Sequence, residues 1–180
     1  LEYQYHRYPG ERRHSEQTMR LARVLGAACG LTEEEIEDVV KVARYHDIGK
    51  VAIDQKLLQN NRALDEYEWV DMKRHAEVGY NLLRSVPECM MIAEAVLSHH
   101  ERFDGNGYPR GLSGQDIPIA ARIVSICDAY EAMTGDRRYG NLKTHEMAIE
   151  ELYACGGTQF DPQLTALVPV TEFARIVAQA

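Results

Sequence analysis

A chain of 180 residues, 45% hydrophobic and 27% charged, has the size and composition of one globular domain with a substantial core. Its net charge of −8 argues against a protein that coats nucleic acid, so we expect no nucleic-acid polymer as a partner. No apolar run approaches the roughly 20 residues that cross a bilayer, and no signal peptide is recognisable, so we expect no membrane contact by this domain. An anionic small substrate is compatible with this charge, because bound divalent metals can reverse the local potential in a cleft.

The periodicity of the apolar residues is helical almost throughout, and strand signals are nearly absent. Two capping boxes, Thr32 with Glu35 and Asp65 with Glu68, predict helix starts. Helices are expected at about 12–29, from 32 toward 46, from 65, over 75–83, over 89–100, over 118–134 and from 144 to 156. The last helix is expected to begin at Asp161, as N-cap, followed by Pro162. Residues 102–116 are rich in Gly and Pro. The sequence therefore predicts an all-α bundle with one long functional loop.

No repeat or linker divides the chain, and we expect residues 1–180 to form a single domain. Because the chain begins at Leu1 rather than Met, we expect it to be a fragment of a longer multidomain protein with an N-terminal regulatory or sensory domain. The cysteines contain no C-x-x-C pair, which indicates reduced core thiols in a cytoplasmic protein. They are Cys29, Cys89, Cys127 and Cys155.

Histidine and aspartate residues recur along the chain in a spaced series typical of metal ligands. The series consists of His14, His46, Asp47, His75, His99, His100 and Asp128. A lone histidine in a helical domain is more often a packed or surface residue, but this set contains two adjacent pairs at predicted helix ends. Bundle proteins build metal sites from side chains on facing helices, and imidazole with carboxylate suits a divalent first-row metal. More ligands than one ion needs suggest two metals, and Asp47 can bridge them because both its oxygens carry lone pairs.

The absence of thiolate ligands favours iron or manganese over structural zinc, although histidine also suits zinc, copper and nickel. Asp104 is expected to form a turn before Gly105 rather than to bind metal. His6 and His145 are expected at the surface.

Three further features allow two interpretations each. Lys50 is either a solvated surface lysine or a cation that contacts a phosphate near the metals. Tyr108 either packs locally or presents its ring to a nucleobase. Arg137 and Arg138 are either a solvated pair or an anion contact.

Together these motifs resemble the HD-GYP family, a bacterial branch of the HD phosphohydrolase superfamily. The resemblance covers about residues 11–168. The matching segments are 46–50 (HDIGK), 73–75 (KRH) with Gly79, 99–109 (HHERFDGNGYP), 121–123 (ARI) leading to 128–132 (DAYEA), and 156–162 (GGTQFDP). The combination of these motifs in this order is specific, whereas a single His-Asp pair is not.

The resemblance implies an HD-domain helical bundle and a metal-dependent phosphodiesterase of the bacterial cytoplasm that opens cyclic di-GMP. The product would be linear pGpG, with GMP as an optional further product. The first metal would be held by His14, His46, Asp47 and Asp128, and Asp47 would bridge to a second metal held by His75, His99 and His100. The catalytic residues would be Asp47 and Lys50, and the substrate contacts would be Lys50, Gly107, Tyr108, Pro109 and Arg137.

Two positions depart from the family pattern. Some members hold a third metal through a Glu one helical turn before the first His. Here that position is Gly10, which predicts two metals, although a shift in register would recruit Glu11. After Asp136-Arg137, Gly140 stands where the family has a cation, which leaves the choice among cyclic dinucleotides open.

Two other classes of function compete with hydrolysis. Some HD-superfamily members activate oxygen at a di-iron site, and oxygen-dependent turnover would identify such an enzyme. A catalytically weak module that binds a cyclic dinucleotide or a partner protein is the other alternative.

Overall fold

The computed structural model describes residues 1–2, 5, 9–58, 62–135 and 142–179. Over these residues the chain forms nine α-helices. They are α1 (Pro9–Ala28), α2 (Glu33–Tyr45), α3 (Gln55–Leu58), α4 (Glu66–Leu83), α5 (Met90–Leu97), α6 (Ile119–Thr134), α7 (His145–Ala154), α8 (Pro162–Thr165) and α9 (Val170–Ala178). Short 3₁₀ turns lie at Ile48–Ala52, Pro87–Cys89 and Gly114–Asp116. In the described ranges there is no strand, only an isolated bridge between Gly156 and Phe160. The predicted all-α fold is confirmed.

Both predicted capping boxes are present. Thr32 accepts a hydrogen bond from the Glu35 backbone N–H, and the Glu35 carboxylate accepts one from the Thr32 backbone N–H. Asp65 and Glu68 make the same reciprocal pair at the start of α4. Each box satisfies backbone donors that the first helical turn leaves without partners, so these two helix starts are set locally by the sequence.

The core lies where α1, α2 and α6 pack together, with α4 and α5 completing one side. Helix α6 is the central element, because Ile123, Val124, Ile126 and Tyr130 are all fully buried along it. The ligand residues His14 and Asp128 are carried by α1 and α6 themselves, so the packing that forms the core also places the candidate site.

Two segments differ from the prediction. The segments expected separately from 65 and over 75–83 form one continuous helix, α4. The helix expected from 161 is only the four residues of α8, and a separate helix, α9, follows it. Pro169 explains the break, because proline lacks the backbone N–H and disfavours helical geometry in the residue before it.

All four cysteines are free thiols, with Cys127 buried and the others partly buried. None of the described helices combines the length and the apolar character required to cross a membrane.

Candidate metal centre

Six of the seven predicted ligands form two compact groups. His14, His46 and Asp128 form the first group, and His75, His99 and His100 form the second. Within each group the ligand atoms lie within 4.8 Å of one another. Each group is therefore close enough to hold one cation.

Asp47 lies between the two groups, and its two oxygens face different sides. Oδ2 is 3.3 Å from His46 Nε2 in the first group, and Oδ1 is 3.5 Å from His75 Nε2 in the second. This is the arrangement that a carboxylate shared by two cations requires, because each oxygen serves one ion.

Backbone hydrogen bonds fix the tautomers of three of the rings. In each, Nδ1 donates to the carbonyl oxygen three residues earlier: His46 to Ala43 at 2.8 Å, His75 to Met72 at 2.7 Å, and His99 to Val96 at 2.6 Å. A carbonyl oxygen only accepts, so Nδ1 carries the proton and the neutral ring keeps a bare lone pair on Nε2. Metal-ligating histidines are held in this way, with the second ring nitrogen bonded to a carbonyl or carboxylate.

The bare nitrogens of His75 and His99 face each other across only 3.3 Å. Two acceptors cannot hydrogen-bond to each other, so this contact is favourable only with a cation between them. Two donors that each lie about 2.1 Å from one ion at roughly 90–110° are about 3.0–3.4 Å apart. The pair fits this spacing, as do the 3.2 Å between His14 Nε2 and Asp128 Oδ1 and the 3.2 Å between His14 Nε2 and His46 Nε2. The donor set therefore fits a divalent first-row metal.

Local structure explains how the ligands converge. His46 and Asp47 follow the end of α2, and the chain then enters the 3₁₀ turn at Ile48–Ala52, which packs against α4. Gly49 makes this approach possible, because a Cβ there would lie 1.9 Å from the carbonyl oxygen of His75. The absence of a side chain at Gly49 thus allows Asp47 to lie beside His75.

The three imidazole rings of the second group are uncharged. Burial and the neighbouring His75 lower the pKa of His100 to about 4. Burial and the neighbouring His100 lower the pKa of His99 well below its ordinary value. Burial likewise lowers the pKa of His75. Neutral imidazole is the form that binds metal, so these three side chains do not have to lose a proton first.

The first group carries charge. Burial lowers the pKa of His14, but hydrogen bonds to Asp128 and Glu131 outweigh it and raise this pKa to about 10. Burial raises the pKa of Asp128, but the hydrogen bond from His14 outweighs it and holds this pKa far below its usual range. The pKa of Asp47 is also far below its usual range, because Lys50 and His46 outweigh the effect of burial. Both carboxylates are therefore ionised near neutral pH.

Lys50 is not a solvated surface lysine. Its side chain is 19% exposed, and its ammonium nitrogen lies 2.6 Å from Asp47 Oδ2 and 3.2 Å from Glu11 Oε1. The two carboxylates raise the pKa of Lys50 despite the opposing effect of burial, so the side chain is cationic. Glu11 thus reaches the edge of the site through Lys50, whereas Gly10 is exposed and supplies no ligand.

The Gly-Tyr-Pro loop lies against the second group. Tyr108 stacks on the His100 ring with centroids 4.8 Å apart, and the Lys73 ammonium lies 5.1 Å from the Tyr108 centroid. Tyr108 therefore packs against the second group, and its contact with a nucleobase stays a prediction. Gly107 permits a tight backbone crossing, because a Cβ there would lie 2.3 Å from the Arg102 backbone nitrogen. Pro109 follows Tyr108 through a cis peptide bond.

Two buried carboxylates near the site were not predicted. Glu131 contacts His14 Nδ1, and Glu101 accepts hydrogen bonds from the backbone N–H groups of Arg110 at 2.7 Å and Leu112 at 3.1 Å. The sequence does carry a signal for Glu131, because it follows Asp128 by three residues and so shares its helix face. Glu101 directly follows the His99-His100 pair, but nothing in the sequence alone indicates that it closes the loop.

Other predicted positions have mixed outcomes. Asp104 forms the expected turn, since it accepts a hydrogen bond from the Asn106 backbone N–H at 3.0 Å. His145, expected at the surface, is partly exposed, and its Nδ1 lies 2.6 Å from the hydroxyl of Tyr130 on α6. Arg137 lies outside the described residues, as do His6, Arg138 and Gly140.

The family model for the HD domain matches residues 5–164. The chain belongs to the HD domain family. This match confirms the family predicted from the sequence, and it covers the whole candidate site described above.

Curated relatives of the chain carry names of cyclic-dinucleotide enzymes. It is 41% identical over 77% of its length to "3'3'-cGAMP-specific phosphodiesterase 2" of Vibrio cholerae, covering 27% of that protein. It is 39% identical over 82% of its length to "Cyclic di-GMP phosphodiesterase response regulator RpfG" of Xanthomonas campestris, covering 40% of that protein. The chain thus spans about a quarter to two fifths of the length of these relatives.

Among solved structures, the fold is similar to the HD domain of the L. monocytogenes phosphodiesterase PgpH in complex with cyclic-di-AMP. The TM-score is 0.70 at 19% identity, over 97% of this chain and 93% of that one. At this identity the match supports the helical fold of the HD domain.

Proposed function

We propose that the chain hydrolyses cyclic di-GMP to linear pGpG with the help of two divalent metal ions, iron or manganese. The observation that carries this proposal is the position of Asp47 between the two groups of potential metal ligands, with one carboxylate oxygen toward each group. The names of the Vibrio and Xanthomonas relatives support a cyclic dinucleotide as the substrate class.

The ligand residues would hold one cation in each group, with Asp47 shared between them. When bound, such cations lower the pKa of an attacking water and offset charge on the phosphoryl oxygens. Lys50 would donate a hydrogen bond to a phosphoryl oxygen, because its ammonium lies beside Asp47 and is cationic. His46, His75 and His99 are buried, and the backbone hydrogen bonds at their Nδ1 atoms leave the Nε2 lone pairs available to a cation.

A second candidate substrate is 3'3'-cGAMP, because a relative named for this nucleotide is about as similar to the chain as the cyclic di-GMP enzyme of Xanthomonas is. The Vibrio cholerae relative specific for this nucleotide is 41% identical to the chain, against 39% for the cyclic di-GMP enzyme of Xanthomonas. The two nucleotides differ in one base, so selection between them depends on contacts away from the metal ligands. We propose Gly107, Tyr108, Pro109 and Arg137 as part of that outer contact region.

The test is a chromatographic assay of cyclic di-GMP and 3'3'-cGAMP with Mn²⁺ or Fe²⁺, which follows the linear dinucleotide and the mononucleotide products. Asp47→Ala should lose both metal loading and hydrolysis, whereas the matched variant Asp38→Ala, at an exposed ion pair with Lys41 on α2, should retain both. Normal hydrolysis by Asp47→Ala would disprove the shared-ligand role. Tight nucleotide binding without any product from the unmodified chain would favour the binding module instead.

Metal analysis of protein purified without oxygen tests the cofactor. We expect about two transition-metal ions per chain, as the two ligand groups suggest. Absence of stoichiometric metal would disprove the assignment, and turnover that consumes oxygen would indicate a redox enzyme.

A further inference from the structure

We propose that Glu131 is a positioning residue that orients the His14 ring for the metal. Its charge also makes the first ligand group chemically unequal to the second. The inference rests on the metal-binding role proposed above and concerns a residue that contacts no metal itself. Glu131 is 4% exposed and His14 is 7% exposed, so their contact is shielded from solvent.

One helix holds both nitrogens of the His14 ring. On α6, Asp128 and Glu131 are three residues apart and share a face. Asp128 Oδ1 lies 3.2 Å from His14 Nε2, while the Glu131 carboxylate contacts His14 Nδ1. The ring plane is therefore fixed by α6, although the residue itself belongs to α1.

His14 differs in this respect from the other three anchored ligands. Those rings donate from Nδ1 to a carbonyl oxygen of their own helix, three residues earlier: His46, His75 and His99. For His14 the described partner of Nδ1 is a carboxylate that is 117 residues away in sequence. Local helix geometry orients the three rings, whereas the packing of α1 on α6 orients His14.

The charge of Glu131 makes the two groups unequal. The first group has the Asp128 carboxylate and, behind His14, the Glu131 carboxylate, together with one oxygen of Asp47. The second has three imidazoles and the other oxygen of Asp47. A carboxylate behind a ligating imidazole increases the basicity of the ligand, and loss of such a partner typically weakens metal binding by about 10–100-fold. We expect this loss at the first group alone.

The experiment is a competition titration of the full chain with Mn²⁺ against a chromogenic chelator, resolved into two binding events. His100→Ala identifies the event that belongs to the second group. Glu131→Gln, which can still accept a hydrogen bond but has no charge, should weaken the other event by about 10–100-fold and leave that of the second group unchanged. In a His14→Ala background, Glu131→Gln should cause no further loss, because its effect passes through the ring.

Asp161→Asn is the matched control. Asp161 is also a buried carboxylate, 3% exposed, and it pairs with Arg122 at 2.6 Å outside the metal groups. Its loss should lower stability without changing either binding event. If Glu131→Gln does not fold, Glu131→Asp replaces it, with weakening of the same event expected.

Three results would overturn the proposal: unchanged binding in the Glu131 variant, equal weakening of both events, or a further loss in the His14→Ala background. If the unmodified chain binds no metal, the proposed function fails together with this inference. If the unmodified chain binds two ions and hydrolyses the nucleotide but the Glu131 variant matches it, only the positioning role is wrong.

Discussion

Replacing Gly49 by alanine tests whether the metal ligands depend on a backbone contact that excludes any side chain. A Cβ at Gly49 would lie 1.9 Å from the carbonyl oxygen of His75 and 2.6 Å from the backbone nitrogen of Gly79. Both obstacles are helix backbone, which cannot rotate away as a flexible side chain can. The 3₁₀ turn and α4 must therefore separate.

The magnitude follows from these distances. Contacts between a Cβ and other heavy atoms are almost never shorter than 3.0 Å, so the turn must withdraw by about 1 Å. Overpacking of this kind costs about 1–3 kcal/mol and sometimes more, and we expect at least about 3 kcal/mol because the clash is with backbone. The same movement carries Asp47 Oδ1 away from His75 Nε2, now 3.5 Å apart, so binding of a shared cation should weaken by about 10–100-fold.

The assay is urea unfolding with and without Mn²⁺. A ligand present at 100 times its dissociation constant stabilises the folded chain by about 2.7 kcal/mol, and an affinity weaker by about 10–100-fold removes between half and most of that increment. Gly49→Ala should therefore show both a lower free energy of unfolding without metal and a smaller increment with it. The control is Gly10→Ala, where a Cβ meets no atom within 4 Å and we expect no loss and a gain of up to about 1 kcal/mol. A Gly49→Ala protein with unchanged stability and unchanged metal increment would refute the reasoning.

Two further predictions concern residues outside the ligand set. Glu101→Gln should lower the free energy of unfolding by about 2 kcal/mol, because the backbone N–H groups of Arg110 and Leu112 lose the charged carboxylate that accepts their hydrogen bonds. Since these bonds hold the loop that carries Tyr108, the substitution should also raise KM for the cyclic dinucleotide more than it lowers kcat. Steady-state kinetics with an unchanged KM would contradict this. Thr32→Ala should cost about 1 kcal/mol in urea unfolding by removing the cap of α2, with metal affinity unaltered, and a change in metal affinity would contradict the local role assigned to this cap.

The parts of the fold that the sequence predicts are those with local causes. The capping boxes at Thr32 and Asp65 start helices through side chains three residues apart, and both were found where expected. Pro169 acts equally locally, but the N-cap Asp161 and Pro162 at N1 predict only where a helix begins and not where it ends. Periodicity identifies the face of a helix better than its end.

The ligand set was predictable for a different reason. Metal binding restricts residue type strongly, so seven histidines and aspartates in a spaced series are informative even without their positions in space. The structure brings six of them into two groups and puts Asp47 between them, which the series alone could only suggest. Lys50 was ambiguous in the sequence, because its role depends on how deeply the turn at Ile48–Ala52 is buried.

The supporting carboxylates were missed because glutamate is common at exposed helix positions. The three-residue spacing between Asp128 and Glu131 indicates a shared helix face but not that Glu131 is buried. Glu131 becomes meaningful only when α1 lies across α6 in the register that brings His14 between Asp128 and Glu131. That register is set by the core, where Leu21 and Leu25 of α1 and Val124 of α6 are fully buried. A core substitution that shifts α1 along α6 would therefore change metal binding without touching a ligand, because both nitrogens of the His14 ring have their partners on the opposite helix.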